Sequence, residues 1–356
     1  MKVSLALPAG PRDDLVDVAG LRVGHATVPG GESGCTVVLG PFRAVVEVPG
    51  LAGGSREFVT LDSAHISGRA NALLFTGGSA YGLAAADGVM GWLEERGEGF
   101  PTGVGVVPIV PAAVLYDLAR GRPRPGPAEG RAACEAALEP AAARPPRQSG
   151  AGAGARVGKL LGPEASMAGG MASTSVRMGD HIVAAFAVVN ALGDIVGPDG
   201  TIVAGARPDL QGPPVDGMAA LLASREGPGQ GTTRTGAKRG EPRDGPRLGA
   251  PWDAAGNTTL CLVATDAPLG YADLRRMVRL ASTALPRRIT PVFTPFDGDV
   301  IFGVVPDAAP DAASGKGLDE GPGPGRHFAP ADLLALGVAA REALERALLR
   351  AVGYEP

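Results

Sequence analysis

Strand-like and helix-like segments alternate along this chain, which predicts a mixed α/β (α+β) fold with helices packed outside stacked sheets. Three observations carry that expectation. Apolar or alternating runs of β type recur between residues 35 and 305, bounded by Gly or Pro; stretches of helical spacing lie between them; and 45% hydrophobic content over 356 residues is enough to bury a sizeable core.

The elements follow in chain order. Residues 35–39 and 44–48 read as paired strands. From Ser79 to Arg96 the spacing turns helical, with Leu83, Val89, Met90 and Leu93 on or near one face and Gly97 as the stop. A second helix is expected over 127–138, where Arg131 and Glu135 form an i, i+4 pair. Residues 181–203 give two apolar runs joined by Gly197, Pro198, Asp199 and Gly200, a hairpin signal. A helix-like patch at 218–224 interrupts the segment 204–256, which otherwise reads as a long exposed connection of the kind that is functional or disordered. A strand (258–264), an amphipathic helix (271–285), a strand (300–305), a Gly/Pro loop (307–325) and a C-terminal helix (330–352) complete the chain. No period of 20–50 residues repeats. Composition shifts at Gly256, but the part after it has too few strands to bury a core alone, so 1–356 is expected to be one domain.

Charge and cysteine usage narrow the function classes. Lys and Arg number 33 against 37 Asp and Glu, a net charge of -4, so nothing electrostatic calls for a nucleic-acid partner. The one basic stretch, from Arg225 to Arg247, is rich in Gly and Pro and reads as a solvated loop. Cys35, Cys134 and Cys261 are odd in number and widely spaced, which suits a reducing compartment better than a disulfide framework. Residues 1–10 lack a signal-peptide pattern, and no stretch approaches the ~18 apolar residues of a membrane span. A soluble cytoplasmic protein with no membrane partner is therefore expected.

The chemistry concentrates at Gly256-Asn257-Thr258-Thr259, where a long polar segment meets an apolar strand. A hydroxyl at this point can attack the preceding carbonyl carbon, giving an ester that water opens. The product is a Thr with a free α-amino group, whose reference pKa near ~7.7 to 8.0 lets it accept the proton of its own Oγ without a histidine. On spacing alone such a junction is more often a plain turn leading into a strand.

Six strings add to it: GGSAYGL (77–83), AVLYDL (113–118), GAGAGARVGK (150–159), GNTT (256–259), ATDAPL (264–269) and FDGD (296–299). In these the chain resembles the P1 family of peptidases, which includes the DmpA-type aminopeptidases and the 6-aminohexanoate-oligomer (nylon oligomer) hydrolases. The matches run in family order from about Gly20 to Val305. The resemblance implies an amide hydrolase of the N-terminal-nucleophile kind, folded as a four-layer αββα sandwich and made as an inactive precursor. Cleavage between Asn257 and Thr258 would give an α subunit (1–257) and a β subunit (258–356), assembled as homo-oligomers of αβ units, tetramers or larger. No cofactor and no metal are implied.

Residue by residue, Thr258 resembles the nucleophile and Asn257 the residue whose carbonyl is cut. Lys159 falls where the family has a lysine beside the nucleophile, where a cation would favour the free amine of Thr258; without the resemblance it reads as a solvated loop lysine. Asn190 resembles the oxyanion-hole amide and Tyr116 a second donor; the plainer readings are a turn residue and a core residue. Asp297 and Asp299 flank Gly298 before a strand, so alternation would aim both carboxylates to one side, where they could orient the Lys159 ammonium or the Thr258 amine. Two carboxylates without nearby His make a poor metal cage, and Asp-Gly by itself suggests a turn. The DmpA branch has a Gly-Ser junction, so Asn257-Thr258 with the DGD element is more similar to the nylon-oligomer branch. That tilts the expected substrate towards linear amides, with release of N-terminal residues from peptides or amino-acid amides as the alternative.

Rival chemistries have less behind them. Ser79 lies in a string without the second glycine of a nucleophile elbow. Cys35 with His25 or His65 could form a thiol dyad, but Cys35 reads as a buried strand residue. His25, His65, His181 and His327 are scattered without ligand spacing. Gly103-Val104-Gly105 and the glycines at 150, 152 and 154 could cradle a phosphate in a noncatalytic ligand-binding protein, yet neither has the helix or Lys-Ser/Thr pair that would support it.

Overall fold

The computed structural model describes residues 7–118, 121–139, 144–209, 211–226, 256–307 and 328–355. All but the first two residues of the basic stretch 225–247, and the Gly/Pro loop beyond 307, lie outside the described residues, as does His327. Nine strands form one hydrogen-bonded network: β1 (Arg22–Thr27), β2 (Gly34–Glu47), β3 (Ser55–Arg56), β4 (Ala70–Thr76), β5 (Ala112–Val114), β6 (Gly170–Met178), β7 (His181–Asn190), β8 (Thr258–Thr265) and β9 (Val300–Pro306). They pair in the order β6-β7-β8-β9-β2-β4-β5-β3, with β1 also on β2.

The network is folded over on itself, and β2 is the crease. Residues 35–39 and 44–48 are not paired strands, as their spacing suggested, but halves of this one strand of 14 residues. Its first half pairs with β1 and its second with β9. The register shifts between Leu39 and Phe42, where Pro41 has no N–H to give to a ladder. Phe75 of β4 then meets Phe186 of β7 with ring centroids 5.3 Å apart. Those strands are four steps apart in pairing order, ~19 Å in a flat sheet at ~4.8 Å per step, so the contact requires two stacked sheets.

Alternation along each strand sorts side chains into three apolar layers. Phe75, Phe186, Leu260, Leu262 and Phe302 fill the space between the sheets. Cys35, Val37, Ala72 and Leu74 face outward under α1 (Ala85–Glu94) and α2 (Pro127–Ala136). Val183, Ala185, Cys261, Val263 and Ile301 face the other way, under α4 (Tyr271–Ala281), α5 (Ala284–Arg288) and α6 (Pro330–Ala351); α3 (Gly217–Glu226) lies outside these layers. The order is helices, sheet, sheet, helices. Even-numbered residues of β7 and β8 point between the sheets, and Asn190 and Thr258 fall in that set.

Several elements match the sequence and several depart from it. Gly97 ends the α1 region with φ +68, a left-handed conformation suited to glycine, and Arg131 Nε reaches Glu135 at 3.2 Å. The turn at 197–200 does join two strands, but these are Asp194–Val196 and Ile202–Ala204 of a small separate sheet, while β7 pairs with β6 and β8. The helix expected over 271–285 is broken into α4 and α5. Pro286 would clash with the carbonyl of residue 282 in a continuous helix, and the Thr283 hydroxyl donates to the Leu280 carbonyl at 2.6 Å in the gap. Among the described residues no helix is long and apolar enough to cross a membrane.

Candidate active site

Thr258 opens β8, between the sheets and 4% exposed. The chain reaches it through Gly256, whose φ of +91 and contact with Tyr116 leave no room for a side chain: an added Cβ would lie 2.1 Å from Tyr116 Cβ. Asn257 bridges Asp297 in parallel. Its carbonyl oxygen accepts two hydrogen bonds, from Gly298 N–H at 2.8 Å and from the Thr258 hydroxyl at 2.6 Å. The hydroxyl and a main-chain donor thus converge on the carbonyl that the sequence marks for cleavage.

Lys159 and Asn190 form a tight polar unit beside this peptide. Main-chain bonds from Gly158 N to the Gly193 carbonyl and from Lys159 N to the Leu192 carbonyl fix the lysine. Its Nζ donates to the Asn190 carbonyl (2.9 Å), Asn190 Oδ1 (2.8 Å) and the Gly256 carbonyl (2.9 Å). Three acceptors match the three protons of an ammonium. Asn190 Oδ1 also accepts from Arg156 N–H, while Nδ2 donates to the Gly256 and Tyr116 carbonyls at 3.0 and 3.2 Å. The solvated loop lysine is thereby excluded: Lys159 is buried, and burial pulls its pKa down to about 7, with Arg156 adding to the fall and Asp297 and Asp117 opposing it.

The two aspartates act on different partners. Asp299 Oδ1 accepts from Thr259 N–H at 2.6 Å, fixing the residue after the nucleophile. Asp297 Oδ2 accepts from Thr294 N–H at 2.7 Å and closes its own turn. Burial, then the charge of Asp297, pushes the Asp299 pKa up to about 7. Burial also raises Asp297, and Lys159 opposes that rise. Among the described residues neither carboxylate makes an ion pair with Lys159, so the expected orienting contact is replaced by a longer-range field.

The structure gathers Thr258, Asn257, Lys159, Asn190, Tyr116, Asp297 and Asp299 into one place, with two shifts of detail. In the intact chain the Asn190 amide and Lys159 hold the Gly256 carbonyl, not that of Asn257. Tyr116 engages through its carbonyl and the packing of its ring on Gly256; its hydroxyl makes no hydrogen bond among the described residues. Sequence reasoning missed the Gly298 N–H, which has no side chain to announce it, and Asp117, which sits unremarked in the AVLYDL string. A cavity of about 880 Å³ lies elsewhere, bounded by Leu15, His25, Phe186 and Arg350, and none of the gathered residues lines it.

The rival sites do not assemble. All three cysteines are buried and unbridged, and burial drives the Cys35 thiol far above its usual pKa, against a thiolate nucleophile. His25 bonds Thr36 through Nδ1 and is held near pKa 4 chiefly by burial. Gly150 and Ala151 spend their N–H groups on the Thr27 and Thr36 hydroxyls, and Gly152 and Ala153 spend theirs on the Ser149 and Gly150 carbonyls, so these four do not converge on a phosphate. Gly103 and Val104 form the tip of a hairpin between Phe100–Thr102 and Gly105–Val107. No cluster of three or more metal-ligating side chains occurs among the described residues.

The profile of Peptidase family S58 matches residues 13–354. A protein named uncharacterized aminopeptidase from Mycobacterium tuberculosis (strain ATCC 25618 / H37Rv) is 38% identical, over 96% of this chain and 93% of its own length. The 6-aminohexanoate-oligomer endohydrolase of Agromyces sp. (strain KY5R) is 29% identical, over 94% of this chain and 84% of its own. Among solved structures, the Burkholderia sp. beta-aminopeptidase superposes with a TM-score of 0.65 at 20% identity, covering 97% of this chain and 87% of that one. The L-aminopeptidase D-Ala-esterase/amidase of Ochrobactrum anthropi, described as a variant of the Ntn-hydrolase fold, gives 0.66 at 19% identity, covering 98% and 88%. The αββα layering is therefore that of Ntn-hydrolase aminopeptidases.

Proposed function

Because the chain belongs to peptidase family S58, and is accordingly an amide-bond hydrolase, we propose that it cuts itself between Asn257 and Thr258 and then uses Thr258 as an N-terminal nucleophile. The observation that carries this reading is the Asn257 carbonyl, held between the Gly298 N–H and the Thr258 hydroxyl. Oγ1 bonds to the carbonyl carbon, the Gly298 N–H steadies the charge on its oxygen, the bond to the Thr258 nitrogen breaks, and the hydroxyl proton passes to that nitrogen. Water opens the resulting ester, leaving a carboxylate on Asn257 and a free amine on Thr258.

The amine then serves as base for its own hydroxyl in attack on an external amide. Departure of Gly256 frees Lys159 Nζ and Asn190 Nδ2 to donate to the developing oxyanion, beside Tyr116. The acyl-enzyme ester on Thr258 is released by water. The burial of Thr258 in the uncut chain supports cleavage before turnover.

For the substrate, the Asn257-Thr258 junction and the DGD element favour linear amides of the 6-aminohexanoate kind. Release of N-terminal residues is a second reading, favoured by the higher identity to the mycobacterial relative named an aminopeptidase, 38% against 29%. A panel of 6-aminohexanoate oligomers, amino-acid amides and β-peptides separates the two. The mechanism is tested by replacing Thr258 with Ala. The wild type should yield a fragment beginning Thr-Thr-Leu-Cys and turn over amides, and the variant should do neither; turnover by Thr258→Ala would remove the nucleophile assignment.

A further inference from the structure

Two of the glycine-bearing strings meet at one side chain that the mechanism above does not use. Asp117 follows Tyr116 directly, and its Oδ1 accepts the Gly78 N–H at 2.7 Å. Its Oδ2 is enclosed by two glycines. A Cβ on Gly77 would lie 2.4 Å from that oxygen, and one on Gly154 would lie 2.7 Å from it, both closer than real side chains approach. The Gly154 backbone is also pressed on the Glu32 carbonyl, which an added Cβ would meet at 2.3 Å. The carboxylate thus occupies a seat built by leaving out side chains on two separate segments.

The Gly154 segment and the one that carries Asp117 itself both lead to the site. From Gly154 the chain runs through Arg156, whose N–H donates to Asn190 Oδ1, to Lys159, whose Nζ donates to the same oxygen. On its other side Asp117 is one peptide from the Tyr116 carbonyl, which takes the Asn190 amide. Among the described residues, every hydrogen bond of the Asn190 carboxamide except that to the Gly256 carbonyl is therefore made by a residue within five positions of Asp117 or of the Gly154 contact it clasps.

We propose that Asp117 is a positioning residue for the Lys159–Asn190 pair: its carboxylate ties the Gly77-Gly78 turn to Gly154 and presents a negative charge towards the lysine. This rests on the self-cleavage reading above. Burial lowers the Lys159 pKa; Asp297 and Asp117 oppose that fall and Arg156 adds to it. Removing one of two supporting charges should make the ammonium harder to keep, while leaving Asp299 unmoved, since its neighbours are Asp297, Thr259 and Phe293.

The test compares Asp117→Asn with its parent in a Thr258→Ala chain that stays whole. The chain has four lysines, so 13C labelling at lysine Cε gives four signals to titrate. In the parent, one lysine should titrate far below the other three. In Asp117→Asn, which keeps an acceptor for Gly78 but loses the charge, that midpoint should fall by on the order of 0.5 pH unit. With Thr258 present, Asp117→Asn should cleave itself more slowly, and its pH profile should be displaced from the wild-type one. Should Asp117→Asn not fold, Asp117→Glu carries the test: the low-titrating lysine should stay near its parental midpoint while self-cleavage slows at every pH. An unmoved lysine midpoint in Asp117→Asn, or wild-type maturation in Asp117→Glu, overturns the proposal. A Thr258→Ala chain that still cuts at 257–258 would instead overturn the reading beneath it.

Discussion

Gly298→Ala perturbs the pair of donors, main-chain N–H and Thr258 hydroxyl, that meet at the Asn257 carbonyl. A Cβ on Gly298 would stand 2.9 Å from Thr258 Oγ1, 3.0 Å from Gly53 Cα and 3.1 Å from the Ala52 carbonyl. Ordinary contact begins near 3.4 Å, so the backbone must give by roughly half an ångström against neighbours on three sides. That shift bears on the 2.8 Å bond from Gly298 N–H to the Asn257 carbonyl and on the hydroxyl 2.6 Å from the same oxygen. Loss of one oxyanion donor slows a reaction by about 10²- to 10³-fold, or ~2.7 to 4 kcal/mol, whereas overpacking alone costs ~1 to 3 kcal/mol of stability. The rate of appearance of the Thr258 fragment, followed by intact mass spectrometry, should fall by about that factor while thermal unfolding remains cooperative. Gly53→Ala is the control, since its Cβ meets nothing closer than 3.6 Å, and it should mature normally. Wild-type maturation of Gly298→Ala would refute the role of this N–H, and equal slowing in Gly53→Ala would reduce it to general crowding.

Other outcomes follow from the same structure. Lys159→Ala leaves the Asn190 and Gly256 acceptors without their shared donor, and should slow both self-cleavage and turnover by at least 10-fold with the fold kept, read by circular dichroism beside the two rates. Asp299 has its folded pKa raised from 3.8 to about 7, so the stability it contributes is fully present below pH 3.8 and is lost as pH rises to about 7. Asp299→Asn should therefore gain in thermal midpoint over the wild type across that window, and a constant difference would refute the assignment. For Lys159 the folded pKa lies at about 7, below 10.5, so its contribution is present above 10.5 and lost as pH falls to about 7. Phe75→Ala removes edge contacts to Phe186 and Phe302 between the sheets and should cost about 3 to 5 kcal/mol in urea unfolding; a loss under ~1 kcal/mol would argue against a shared inter-sheet core.

What could be read in the sequence was what side chains advertise. Gly97 stops a helix because a left-handed residue is needed there, and Thr258 begins a strand because a polar run meets an apolar one. The unity of β2 was hidden because Gly40 and Pro41 look like punctuation between two strands, yet they sit where the ladder changes partner. Pro286 did signal the break after α4, but the amphipathic pattern on both sides masked it. At the site, the motif resemblance named Lys159 and Asn190, which residue type alone left as a loop lysine and a turn residue, whereas their acceptor, the Gly256 carbonyl, is a backbone atom. The same is true of the Gly298 N–H. Asp117 escaped notice because its meaning lies in glycines 40 residues away on one side and 37 on the other, which only folding brings to it.

On the proposed reading, the place of Thr258 in β8 explains how a nucleophile could survive the loss of its own peptide bond. Thr258 pairs with Asn190 on one side, and from Leu260 onward β8 is also held by β9. Thr259 is pinned further by Asp299 at 2.6 Å. Cutting before Thr258 therefore frees its nitrogen but leaves its Cα and hydroxyl in the sheet, so the ordering that makes attack effective is already built into the fold. The departing end is held differently. Gly256 and Asn257 keep their places through the Gly298 N–H, Lys159 Nζ and Asn190 Nδ2, and the last two are the donors an external substrate would need. On the proposed reading, then, severing the bond and vacating those donors are separate events. A cut chain whose Gly256 carbonyl still sat on Lys159 would carry a complete nucleophile and remain inactive.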